Sequence, residues 1–379
     1  MRVERLASDY PGRGVFLYRT GYTDVDGETL KKVGFSRRQV LMTREVASMT
    51  RRIAASWFSI SLLLVSLSIT GQAQESDTLR TADGHPDISG TFTFRTLTPM
   101  QRPQQFADLE TLDQETAAQF EASERIRQNR DLFDPETGAP NAGYQSRAEG
   151  GVLSYNEFWY ERGIELTSDK RTSLVVDPPN GRIPYRAEYQ RGARIRGLNM
   201  RNGFADHYTD RTLSDRCIMG FNSGPPMVSS AYNNNVMIFQ TADSVVIFNE
   251  MVHNTRIIPI DGRPHGDIPQ WVGDSRGRWE GETLVVETKN FFRETSLGGS
   301  SKDTHLVERF RRLDSDTVMY EFTVEDPNSF TQAWTATMPL RRTDGPLFEY
   351  ACHEGNVGMH GIMAGARLKN TQAVTELPD

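Results

Sequence analysis

The chain has 379 residues, of which 37% are hydrophobic, 25% charged and 9% aromatic, and its formal net charge is −7. This composition is typical of a globular protein and excludes collagen-like, disordered, coiled-coil and multi-span membrane classes. Two cysteines are too few for a disulfide-dense scaffold or a four-cysteine zinc site.

Residues 49–73 have the three parts of a secretory signal peptide. Arg51 and Arg52 precede an apolar stretch at 53–69, and small residues precede an expected cleavage after Ala73. We therefore predict a periplasmic or extracellular protein that is free of the membrane after cleavage. The alternative is a membrane anchor, because the apolar stretch approaches the roughly 17–25 residues that span a bilayer.

Residues 1–48 stand in front of this signal, where a mature domain is not expected. We interpret them as a disordered leader from a start codon assigned too early, with Met49 or Met42 as the true start. The rival interpretation is a twin-arginine signal at Ser36-Arg37-Arg38-Gln39-Val40-Leu41, which Arg44 and Glu45 separate from the apolar stretch.

Removing the leader and the signal makes the chain more acidic. Residues 1–73 carry 11 basic and 6 acidic residues, so the remaining 306 residues have a net charge of −12. Such a surface repels nucleic-acid phosphates and anionic lipid. We therefore predict a small-molecule ligand or substrate, and neither a nucleic acid nor a membrane, as the partner.

The N-terminal segment, residues 74–215, has mixed secondary structure. We expect it to pack on the outside of the domain that follows. Its predicted elements are a strand at Ile88–Arg95, a helix at Leu112–Arg130 with Asp113 as N-cap, strands at Tyr155–Arg162 and Thr172–Asp177, and a short helix at Ala187–Arg201.

Residues 216–366 show strand after strand separated by short turns. The predicted strands are Asn235–Gln240, Ser244–His253, Thr255–Ile260, Gln270–Gly273, Arg278–Glu280, Thr283–Phe291, His305–Leu313, Thr317–Val324, Ala333–Arg341 and Leu347–Cys352. This pattern predicts a mainly β fold, an antiparallel meander closing into a lipocalin-like barrel or strongly curled sheet around a pocket. Residues 367–379 are expected to form a flexible tail.

Alternation along the strands indicates which side chains face the core. In VMYEFTVE, Val318, Tyr320, Phe322 and Val324 share one face, and the polar residues share the other. The stretch SVVIFNEMV is apolar on both faces, so we expect its strand to be covered on the outside as well.

Seven residues are candidates for acid–base catalysis. Glu250 lies on an apolar face and needs a partner, so we expect either a buried ion pair with Arg256 or a carboxylate that lines a pocket. In the catalytic hypothesis a histidine moves a proton beside a carboxylate and Arg256 holds an anion. The candidates are His253, Glu250, Arg256, His305, Glu308, His353 and Glu354.

A second set of residues could bind a ligand without catalysis. Aromatic side chains expected in a barrel lumen and an asparagine-rich strand entry suit an apolar or glycosidic compound. This set contains Tyr232, Asn234, Phe248, Tyr320 and Phe322. The asparagines could equally serve as caps in a turn-rich entry to the strand.

We predict no cofactor and no metal site. The sequence has no HExxH, GxSxG, P-loop or CxxC motif. A site built from His253, His305 and His353 remains an alternative, although no two of them have ligand spacing within one element. Cys217 and Cys352 are predicted to form a disulfide in an oxidising compartment, with two buried free thiols as the alternative.

Several sequence blocks carry a family resemblance. They are YNEFWYERG, RTSLVVDPPNGRIP, RCIMGFNSGPP, AYNNN, DGRPH, GDSRGRWEGETLVVET, HLVERF, YEFTVEDP and YACHEGN. Together they resemble an abundant family of secreted bacterial proteins without an established activity. The resemblance implies a signal peptide and one structural unit between about Gly84 and Ala366, and it supports the later start. The likeness to lipocalin-like barrels is fold analogy only and fixes no function.

Two classes of function stay open from the sequence. The first is a cofactor-independent lyase, isomerase or hydrolase with a His/Glu pair in a barrel pocket. The second is a lipocalin-like carrier without catalytic activity.

Overall fold

The computed structural model describes residues 79–129, 157–189, 205–292 and 300–375, so the predicted leader and signal peptide lie outside the described residues. The strands are β1 (Gly90–Thr93), β2 (Val175–Asp177), β3 (Asn235–Gln240), β4 (Ser244–Asn249), β5 (Thr255–Pro259), β6 (Asp274–Glu280), β7 (Thr283–Lys289), β8 (His305–Arg312), β9 (Thr317–Glu325) and β10 (Trp334–Arg342). The α-helices are α1 (Gln114–Gln128) and α2 (Val357–Thr375). Short 3-10 turns occupy Gln104–Phe106, Glu157–Trp159, Tyr208–Asp210 and Met251–His253.

The strands form one antiparallel sheet with the order β5-β4-β3-β1-β10-β9-β8-β7-β6. It contains two meanders, β3–β5 and β6–β10, and β1 lies between them. The two ends of the sheet approach each other, because a Cβ on Gly277 in β6 would stand 3.1 Å from a methyl carbon of Ile258 in β5. The predicted fold class is therefore confirmed: the sheet is a mainly antiparallel, nearly closed barrel.

The N-terminal segment contributes to the barrel wall. Phe92 in β1 pairs with Val236 on one side and with Arg342 on the other, so β1 does not pack on the outside as expected. Strand β2 pairs with the beginning of β10, at Thr335 and Ala336, whereas β1 pairs with its end. Helix α1 is as predicted: the Asp113 side chain accepts a hydrogen bond from the Thr116 N–H, and Phe120 packs into a separate small apolar cluster.

The barrel interior is filled by large side chains. Val318, Tyr320, Phe322 and Val324 are at most 1% exposed, which confirms the predicted alternation along β9. Met227, from the segment before β3, is buried among them, and its N–H donates to Tyr320 Oη at 3.1 Å. Tyr320 and Phe322, expected to line a lumen, are therefore packed into the core.

Several predicted elements differ from the observed ones. Within the described residues, Tyr155–Arg162 contains a 3-10 turn and Leu347–Cys352 contains no strand, while Gln270–Gly273 makes a single bridge through Gln270. Strand β4 ends at Asn249, because the left-handed φ angles of Val252 (56°) and His253 (41°) turn the chain. The predicted helix at Ala187–Arg201 lies mostly outside the described residues.

Helix α2 was not predicted. It occupies residues 357–375 and therefore includes most of the stretch expected to be a flexible tail. Its three glycines, at 358, 361 and 365, weaken the helix signal in the sequence. No helix in the part of the chain that the structure describes is long and apolar enough to cross a bilayer.

Candidate functional site

A buried cluster of three polar side chains spans the barrel interior. Arg256 in β5 donates two hydrogen bonds to the carboxylate of Glu308 in β8, at 2.6 and 2.9 Å. Tyr320 Oη donates to the same carboxylate at 2.6 Å. All three side chains are at most 3% exposed, and burial, together with the Glu308 charge, raises the pKa of Tyr320 well above its usual value.

Glu250 does not pair with Arg256, so the predicted ion pair between them is wrong. The strand ends before Glu250, and its carboxylate accepts hydrogen bonds from Asn235 Nδ2 at 2.8 Å and from the Phe348 N–H at 2.9 Å. Glu250 thus ties the start of β3 to the segment that precedes Cys352. Asn234 is also buried, and its side chain donates hydrogen bonds to the backbone carbonyls of Glu161 and Ser230.

The three histidines expected near a catalytic carboxylate lie in different places. His253 is exposed in the turn after β4, and His353 is exposed in the turn before α2, next to Glu354. His305 lies on the outer face of β8, where Nε2 is 2.8 Å from Glu287 Oε1. Within the described ranges, no three His, Cys, Asp or Glu side chains are grouped so that they could hold a metal ion.

Sequence reasoning missed Glu287 on the outer wall. Hydrogen bonds from Lys289 and from His305 lower the pKa of Glu287 to about 2. The three residues come from the neighbouring strands β7 and β8, and pairing of Glu287 with Val307 places them on one surface. This ionic cluster is partly exposed to solvent and lies apart from the barrel core.

The predicted disulfide is present. Cys217 and Cys352 are joined with their Cα atoms 5.7 Å apart, and 135 residues separate them in the chain. Asn356, just before α2, donates from Nδ2 to the Asp215 carbonyl at 2.9 Å. The disulfide and this hydrogen bond fasten the segment before α2 to the turn that contains Cys217.

A pocket of about 660 Å³ opens beside the disulfide, and we call it the disulfide-side pocket. Both cysteines line it, and Met359 and Ile362 of α2 form an apolar wall. Its aromatic wall is formed by Phe221, Tyr232 and Tyr350.

The aromatic rings of this pocket are in mutual contact. Tyr232 meets Phe221 edge to face at 5.4 Å between centroids and is stacked with Tyr350 at 6.4 Å. Tyr160 adds a further ring at 6.1 Å from Tyr232. Such contacts favour particular relative orientations of the rings in this wall.

Carboxylates line the same pocket. Asp215 is paired with Arg211, Nη2 to Oδ2 at 3.1 Å, whereas Glu349 lies exposed at the rim. Among the predicted binding residues, Tyr232 is the one that lines this pocket. Phe248 lies on the outward face of β4, because the inward positions are those of Ile247 and Asn249.

Comparisons with known proteins assign no family. No family model matches the chain, and no curated protein matches it in sequence. Among solved structures, the chain is similar to a mutant of the fluorescent protein UnaG at 14% sequence identity and a TM-score of 0.21, over 35% of this chain and 86% of that chain. A TM-score this low supports no inference about ligand or activity, and the resemblance to a secreted bacterial family stays a prediction.

Proposed function

We propose that this protein is an exported, non-catalytic small-molecule-binding barrel whose ligand site is the disulfide-side pocket. The observation that carries the proposal is a 660 Å³ pocket that combines an aromatic wall with polar groups at its rim. Small-molecule sites are typically concave pockets of about 300–1,000 Å³, and the volume of this pocket lies in that range.

The chemistry of the wall favours a glycosidic or aromatic ligand. Aromatic side chains that line the pocket, such as Tyr350, can pack against the apolar face of a sugar ring or against an aryl group. Glu349 and Asn356, which also line the pocket, offer acceptors and donors for hydroxyl groups. The disulfide supports export, because such bonds persist in oxidising compartments.

Placement of the acid–base candidates favours binding over catalysis. Both oxygens of Glu308 and both oxygens of Glu250 accept hydrogen bonds from the protein. His253, His305 and His353 do not line the disulfide-side pocket. A substrate in this pocket would therefore meet no histidine beside a carboxylate, which is the arrangement that the enzyme hypothesis requires.

The first experiment identifies what the protein holds. The chain is expressed with its own export signal, purified from the periplasm and examined by native mass spectrometry. We expect a retained compound that Tyr232→Ala and Tyr350→Ala no longer retain. Phe239→Ala is the matched control, because this aromatic side chain is half exposed on β3 and does not line the pocket.

A second experiment measures affinity with defined probes. Ligand-observed NMR is carried out with methyl glucoside, cellobiose and phenyl glucoside. An aromatic contact contributes about 0.5–1.5 kcal/mol, so each alanine variant should weaken binding by roughly 2- to 13-fold. Equal binding of these probes by wild type, Tyr232→Ala and Tyr350→Ala would count against the proposed site. If the protein converts the compound that it retains in the first experiment, the enzyme hypothesis is restored.

A further inference from the structure

A second cavity, of about 240 Å³, lies on the outer wall of the barrel where β1 adjoins β10. Thr93 of β1 and Arg341 of β10 are paired in the sheet and both line the cavity. The segment at residues 163–167 forms its other side and is fixed by the hydrogen bond from the Leu97 N–H to the Glu165 carbonyl at 2.8 Å.

The segment packs very closely against the chain after β1. A Cβ on Gly163 would stand 2.1–2.4 Å from backbone atoms of Thr96, so only glycine fits at this position. The cavity therefore has backbone on two sides, which gives it a defined shape.

Arginines supply positive charge to the lining. Arg95, Arg341 and Arg342 are among the lining residues, and Glu165 is the single carboxylate among them. The Arg342 guanidinium donates to the carbonyls of Ser89 and Ser315 and lies over the Phe92 ring, so the charge that faces a ligand comes from Arg95 and Arg341. The whole chain, by contrast, has a net charge of −7. We call this cavity the arginine pocket.

Two of the arginines are only loosely paired. The nearest nitrogen–oxygen distances are 3.8 Å from Arg341 to Glu165 and 3.6 Å from Arg95 to Glu161, both longer than a hydrogen bond. The side chains of Arg341 and Arg95 are also nearly half exposed. Their guanidinium groups can therefore donate to a bound group without breaking a tight ion pair.

We propose that the arginine pocket binds a small oxoanion, namely a carboxylate, sulfate or phosphate group carried by a compact molecule. Guanidinium groups match such oxygens with two parallel hydrogen bonds, and an ionised partner strengthens each bond. The small volume excludes an extended polyanion. The site is separate from the disulfide-side pocket, since the two cavities share no lining residue.

Calorimetric titration of the mature chain tests this site. The probes are sodium phosphate, sodium sulfate and sodium acetate at constant ionic strength, with sodium chloride as the reference salt. We expect saturable binding of at least one oxoanion, and the tightest of the three identifies the group. Arg341→Gln should weaken that binding about tenfold or more, because it removes a charge-assisted contact.

Two further variants make the test specific. Arg309→Gln is the matched control, because Arg309 is similarly exposed on the wall and pairs with Glu280 outside the pocket. It should leave the affinity unchanged. Glu165→Gln should raise the affinity several-fold, because it removes the carboxylate that competes for Arg341, and it tests the site even if Arg341→Gln does not fold.

The proposal is overturned by three results. The first is no saturable binding of phosphate, sulfate or acetate. The second is equal weakening by Arg309→Gln and Arg341→Gln, which would indicate a general charge effect. The third is weaker binding by Glu165→Gln.

Discussion

Arg256→Met breaks the polar cluster inside the barrel while nearly preserving side-chain volume. The two hydrogen bonds from Arg256 to Glu308, at 2.6 and 2.9 Å, would be lost, and Glu308 would keep only the Tyr320 hydroxyl. Because Glu308 is fully buried, its carboxylate would stay charged without a cation or would have to bind a proton. Removing one partner of such a pair lowers the free energy of unfolding by about 3–5 kcal/mol.

Urea unfolding followed by intrinsic fluorescence measures this loss. The double variant Arg256→Met/Glu308→Leu should be more stable than Arg256→Met alone, because it leaves no unpaired charge in the core. A loss below about 1 kcal/mol for Arg256→Met, or a double variant less stable than the single one, would refute this account of the cluster.

Three further predictions concern the outer wall and the disulfide. The pKa of Glu287 is lowered to about 2 in the folded protein. Its contribution to stability is therefore present above its pKa in the unfolded chain, about 4.5, and is lost as the pH falls from about 4.5 to about 2. In Glu287→Gln the urea midpoint should depend less on pH in this range than it does in the wild type. Reduction should destabilise the protein by about 2–5 kcal/mol, because Cys217–Cys352 closes a long loop, and Cys217→Ser/Cys352→Ser should not respond to dithiothreitol. Gly163→Ala should cost about 1–3 kcal/mol in urea, because its methyl group would overlap the backbone of Thr96; an unchanged midpoint would contradict the close packing.

Local patterns in the sequence predict much of the barrel. The alternation of Tyr320 and Phe322 with polar neighbours indicates which face of β9 is buried, and the structure confirms it. Short turns between strands predict the meander in the same way. These features depend on residues close in sequence, where alternation and turn chemistry act directly.

The partners of buried charges could not be predicted in this way. Arg256 lies six residues after Glu250, yet it pairs with Glu308, because curling of the sheet brings β5 and β8 together across the interior. The filling of that interior by Met227 likewise depends on a loop that enters from outside the meander. Proximity in sequence was the wrong guide to both.

The candidate site was predicted only in part. Tyr232 was expected to bind a ligand, because it is an aromatic residue at an asparagine-rich strand entry. Cys217 and Cys352 were expected to form a disulfide, because they are the two cysteines of a chain with a predicted export signal. The wall formed by α2 was not expected, since Gly358 and Gly361 lower the helix propensity of its first turns.

The position of β1 has a consequence for the order of folding. Each meander joins strands that are neighbours in sequence, so each can form early from local hairpins. Strand β1 must wait, because Phe92 pairs with Val236 and with Arg342, which lie far from it along the chain. Until then the facing edges of β3 and β10 are open to other chains. The four residues of β1 thus decide when the barrel becomes one cooperative unit.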